Sequence, residues 1–264
     1  MKQRIISGAV LVAIALASIL VGGPLLAGVL LFASFVGMFE MLRALQIVTA
    51  EKKFPPMAVA AAAGTAVYYL LLIFFGSRFY GEMAALTVIA VMAVYVLTFP
   101  KYRSEEAIGT IFSFIYIPFM LSFIYLTRIS EGGIVHVWLV FLSSWVADTA
   151  AYFVGVKFGR HKMTPVLSPK KSWEGAAGGI AGAAAAGLIF AAIFDRGLLV
   201  QYPIVCALGA VISMCGDLAA SAIKREKGIK DYGTLIPGHG GIMDRFDSVI
   251  FTAPIIYFLT QILV

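Results

Sequence analysis

Charge is what this 264-residue sequence has least of: 13% of its residues are Asp, Glu, Lys or Arg, while 61% are hydrophobic. Soluble domains carry roughly 25% charged residues, and a soluble chain of this balance would expose apolar patches beyond the few hundred Å² that monomers tolerate. A water-soluble fold is thereby excluded, and a mean hydropathy of +0.96 assigns most of the chain to lipid. Cysteine is almost missing. The two present, Cys206 and Cys215, lie nine residues apart on an expected helix and point to opposite sides, which excludes a bridge between them and any disulfide framework. The basic, apolar stretch 1–21 lacks a small-residue cleavage site followed by a polar region, so it reads as a first membrane helix and not as a removed signal peptide. Internal repeats and low-complexity tails are also lacking, which leaves one membrane domain over 1–264.

What the sequence does have is a succession of apolar runs. A helix needs about 20 apolar residues to cross the hydrocarbon core. Segments 5–21, 24–42, 57–75, 83–99, 108–126, 134–156, 176–194, 200–222 and 248–264 qualify. The expectation is an all-α polytopic membrane protein with about nine transmembrane helices. The formal net charge of +6 raises nucleic acid as a partner, but Lys and Arg are gathered between apolar runs and not along a soluble face, so no nucleic acid is expected. With a cytoplasmic N-terminus, only Arg78, Arg128 and Arg196 of the 20 Lys and Arg fall in outside loops. The positive-inside rule then fixes that orientation, with the C-terminus outside and the two longest polar loops in the cytoplasm. Short loops without appended domains fit a multi-pass protein of a bacterial cell inner membrane.

Acidic residues within membrane spans mark functional sites by default, and Asp148 and Asp217 are the deepest pair. Ser144 and Tyr152 lie four residues before and after Asp148, which sets a carboxylate between two hydroxyls on one helix face. Ser213, Ser221 and Lys224 extend a similar stripe about Asp217. Further on, Asp244 and Asp247 stand three apart, a spacing that aims both carboxylates into one space if a helix begins there. Convergent carboxylates suit a hard cation, magnesium above all, and with Asp217 the set could hold one or two metal ions. Gly238, Gly240 and Gly241 allow a sharp turn that presents N–H groups to an anion, and His239 between them is suited to orienting a phosphate or assisting proton transfer. The loop SPKKSWEG, 168–175, offers Lys170 and Lys171 as point charges for phosphates, with Ser168, Ser172 and Glu174 as polar partners. The run from Gly175 to Gly187 is small enough in its side chains for close helix packing.

The segments SAIKR, KDYG and IPGHGGIMDRFD, between Ser221 and Asp247, together resemble the signature of the phosphatidate cytidylyltransferases, or CDP-diacylglycerol synthases. DTAAYFVG from Asp148 and SPKKSWEG match upstream elements of that family, with Ser172 standing where Thr is more usual. The resemblance covers roughly the C-terminal half. It implies that Asp217, Asp244 and Asp247 bind magnesium, with Asp148 in the same cavity, and that nucleotide and phosphate contacts fall to Lys170, Lys171, Lys224, Arg225, His239 and Arg245; Lys230, a further cation beside the glycine-rich turn, is read as a substrate contact from its position. It implies CTP and phosphatidate as substrates, a membrane-embedded homodimer among membrane lipids, and a catalytic part over 134–264 behind structural helices, with dimer contacts, over 1–133. Two other readings fit the residues: a CTP-dependent polyprenol or phytol kinase, and an ion-coupled transporter in which Asp148 and Asp217 relay protons.

Overall fold

A computed structural model describes residues 2–49, 54–236, 238 and 240–264. Helices dominate: α1 (Lys2–Val21), α2 (Gly23–Ala44), α3 (Pro56–Phe75), α4 (Tyr80–Leu97), α5 (Ser104–Ile129), α6 (Gly133–Phe158), α7 (Trp173–Phe194), α8 (Gln201–Glu226) and α9 (Met243–Leu263). Among the described residues, seven helical stretches are long and apolar enough to cross a membrane. One of these is the continuous run Pro56–Leu97, in which a single 3₁₀ turn, Gly76–Phe79, joins α3 to α4. The polar loop before α7, by contrast, forms a short antiparallel hairpin, β1 (Lys162–Thr164) with β2 (Ser168–Ser172).

The helix starts follow local chemistry. Pro56 opens α3, where its missing N–H costs nothing. Glu106 reaches back to the backbone N–H of Arg103 at 2.8 Å and closes the first turn of α5. Ser172 caps α7 by accepting the Gly175 N–H at 3.1 Å.

Contacts within the chain form two compact units. The first comprises Met1–Ile129 and Ile229–Arg245, the second Ser130–Gly228 and Phe246–Val264. In the first unit, α5 passes through a π turn, Ile115–Phe119, because Pro118 supplies no N–H to the helical ladder. Two fully buried tyrosines meet the disturbed backbone. Tyr69 donates its hydroxyl to the Pro118 carbonyl at 3.2 Å and lies 2.9 Å from Ser34 Oγ, while Tyr68 lies 2.8 Å from Ser122 Oγ. Each buried hydroxyl is thus satisfied without water.

In the second unit, α6 and α7 pack backbone against backbone. A Cβ at Gly175 would stand 2.9 Å from the Ala151 carbonyl, and one at Gly179 would stand 3.0 Å from that of Ala147. The small-residue run has the packing role its composition suggests. A second π turn, Leu142–Val146, lies in α6 just before Asp148.

Candidate functional site

The hairpin and three helices of the second unit bring opposite charges together. In β2, successive side chains alternate between faces, so Lys170 is exposed while Lys171 turns inward and places Nζ 2.6 Å from Asp217 Oδ2 on α8. Ser221, one turn along α8, donates to Asp217 Oδ1 at 3.4 Å. Ser248 of α9 donates to Asp148 Oδ2 at 3.4 Å. Asp148, Asp217 and Asp247 are close enough to repel one another, and Lys171 and Lys224 supply the nearby positive charge for Asp148 and Asp247 respectively.

A cavity of about 530 Å³ opens here, lined by Asp148, Tyr152, Lys170, Lys171, Ser172 and Asp217 among others. That volume lies in the range of small-molecule sites, roughly 300–1,000 Å³. Ser144 sits in the π turn, and its hydroxyl donates back to the Val140 carbonyl at 2.8 Å, while Tyr152 lines the cavity with Asp148. Glu174 turns away from the cavity toward the chain before β1. It accepts from the backbone N–H groups of Arg160 and His161 at 3.1 and 3.2 Å and lies 2.6 Å from His161 Nδ1, which pins the base of the hairpin to the first turn of α7. Ser168 is half-buried on β2, and Arg225 is exposed near the end of α8.

The glycine-rich loop belongs to the first unit. Gly240 accepts from the Ile236 N–H at 2.9 Å, closing a tight loop. Gly240 holds φ at +85°, a conformation that favours glycine. Of the glycine amides expected to face a phosphate, that of Gly241 meets a carboxylate of the protein itself, as do three amides outside the glycine set. Asp244 Oδ2 accepts from Tyr232 N–H at 2.8 Å and Gly241 N–H at 3.0 Å. Glu40, reaching over from α2, accepts from Ile242 N–H at 3.1 Å and Met243 N–H at 2.9 Å. Glu40 is only 4% exposed, and a Cβ at either Gly233 or Gly241 would overlap its carboxylate. Sequence reading assigned Glu40 nothing; the available signal was an acidic residue set into an apolar helix. Lys230 and Arg245 are exposed at the two ends of this loop, and His239 lies outside the described residues.

Among the described residues, no group of three or more His, Cys, Asp or Glu side chains is placed to hold a metal ion; a cation here would draw on one or two carboxylates and take the rest of its shell from water and substrate phosphates.

Comparison with known proteins adds an independent line. Residues 2–263 match the family model described as the cytidylyltransferase family. A phosphatidate cytidylyltransferase of Bacillus subtilis strain 168 is 33% identical over 98% of this chain and 97% of its own length. One from Thermotoga maritima is 33% identical over 72% of this chain and 73% of its own. Another, from Brucella suis biovar 1, reaches 41% identity over 47% of this chain.

Proposed function

The chain belongs to the cytidylyltransferase family, and from that premise we propose that it transfers the cytidylyl group of CTP to phosphatidate, giving CDP-diacylglycerol and pyrophosphate. The observation that carries this reading is the cavity in which Lys170 and Lys171 stand beside Asp148 and Asp217. Such a site draws in a polyanion and keeps acidic oxygen donors available for its counter-ion.

In the reaction, a phosphate oxygen of phosphatidate attacks the α-phosphorus of CTP, the bond to the β-phosphate oxygen breaks, and pyrophosphate leaves. The attacking oxygen is already ionised at neutral pH, so the protein needs no strong base. Its task is to align two anions and neutralise their charge. Lys171, held inward by Asp217, is positioned to meet the triphosphate, while exposed Lys170 and Arg225 extend the positive field toward solvent. Asp217 and Asp247 would hold magnesium, which when bound would offset the charge on the phosphates. The resemblance, not a distance, assigns Asp244 to the same duty and gives Lys224, His239 and Arg245 to the substrates, and the basic, glycine-rich composition of the loop adds Lys230, Gly240 and Gly241.

The fold class extends the same reading: nine spans, an N-terminus in the cytoplasm, a C-terminus outside, a cytoplasmic site in a bacterial inner membrane, and a homodimer. The distribution of Lys and Arg supports the orientation.

The test is product analysis with purified protein in detergent, CTP, phosphatidate and magnesium, beside an Asp244→Asn control. Lipid-dependent pyrophosphate that disappears in the control is the expected result. CDP in its place would transfer the protein to the lipid kinases, and solute uptake by proteoliposomes without nucleotide turnover would make it a transporter.

A further inference from the structure

We propose that Glu40 is a positioning residue for the transfer reaction, acting through the loop that carries Asp244. A carboxylate buried in an apolar helix is costly unless its charge is met by donors. Glu40 is met at the start of α9: its two oxygens accept from the consecutive amides of Ile242 and Met243, at 3.1 and 2.9 Å. These are among the orphan N–H groups of a helix N-terminus, and the dipole there favours a negative partner.

The neighbouring amide, Gly241, donates to Asp244, as does that of Tyr232. Three consecutive N–H groups are therefore divided between two carboxylates, one arriving from α2 and one on the first turn of α9 itself. Glu40 and Asp244 repel each other, so neither is a favourable neighbour for the other; the amides between them hold the pair in place. Gly233 and Gly241 complete the fit, since any larger residue at either would strike Glu40. Glu40 thus fixes both the entry of α9 and the direction from which Asp244 extends, without itself touching substrate.

This inference rests on the proposed role of Asp244 in the reaction, and its test separates the two. Full-length Glu40→Gln, Glu40→Ala and Asp244→Asn proteins are purified in detergent. For each, folded yield is read by size exclusion, followed by kcat, KM for phosphatidate and the magnesium concentration giving half-maximal rate. Misplacing a reacting group by about 1 Å can lower the rate on the order of 100-fold. Glu40→Ala is expected to fall by about that factor in kcat, with a raised magnesium requirement and an unchanged KM for phosphatidate. Glu40→Gln keeps one acceptor oxygen and should recover part of the loss, about tenfold.

Wild-type kcat in folded Glu40→Ala, alongside an inactive Asp244→Asn, overturns the positioning role alone. Full activity in Asp244→Asn overturns the reading on which it rests. Failure of both Glu40 variants to fold makes the residue a structural strut and overturns the proposal as well.

Discussion

Lys171 and Asp217 meet at 2.6 Å, yet their side chains remain 23% and 29% exposed. The Lys171 Nζ atom itself is buried, so its charge is turned away from solvent and toward Asp217 and the cavity. Lys171→Met is therefore expected to lower CTP turnover about 100-fold, the scale seen when one preorganised electrostatic contact is removed. Unchanged pyrophosphate release in this variant would remove Lys171 from the site. The sequence named both residues through different signals, an acid in a membrane span and a lysine pair in a mixed polar loop. It could not show that they pair, because 46 positions separate them. Glu40 lay further out of reach, since its partners are backbone amides, which every residue carries and no sequence pattern marks. Glu174 is the converse case: its neighbourhood suggested a substrate contact, whereas its geometry ties down the hairpin.

Helices are the elements most legible here, because a run of about 20 apolar residues has few other fates. Each of the segments read as a span coincides with a helix, with ends differing by several residues where polar caps extend it. The π turn of α5 has a sequence cause in Pro118, whereas the one in α6, at Leu142–Val146, holds no proline. The start of α7 makes a sharp prediction. Ser172→Ala removes the cap and should destabilise the protein by about 1 kcal/mol, whereas Ser172→Thr keeps an acceptor and should be nearly neutral. Gly179→Leu forces a side chain against the Ala147 carbonyl and should cost about 1–3 kcal/mol through overpacking. Thermal unfolding in detergent measures all three, and a Gly179→Leu protein as stable as the parent would show that α6 and α7 can separate at no cost.

For the molecule as a whole, the expected orientation rests on where Lys and Arg fall between spans. A phosphatase fused after Val264 should be active and a fluorescent protein at the same point dark, while a cysteine introduced at exposed Lys170 should be labelled only from the cytoplasmic side. The opposite pattern would invert the topology and move the cavity away from the cellular supply of CTP. The division into two units was not legible from composition: both are mostly apolar, and the segment Ile229–Arg245 groups with helices made long before it.

That last point gives Glu40 a history as well as a place. Its donors lie 202 and 203 residues downstream, and at about 5–20 residues per second translation takes roughly 10 to 40 s to reach them. Throughout that interval α2 carries an acid whose donors do not yet exist. A chain cut short before Ile242 keeps it unmet for good, an uncompensated carboxylate in an otherwise apolar helix.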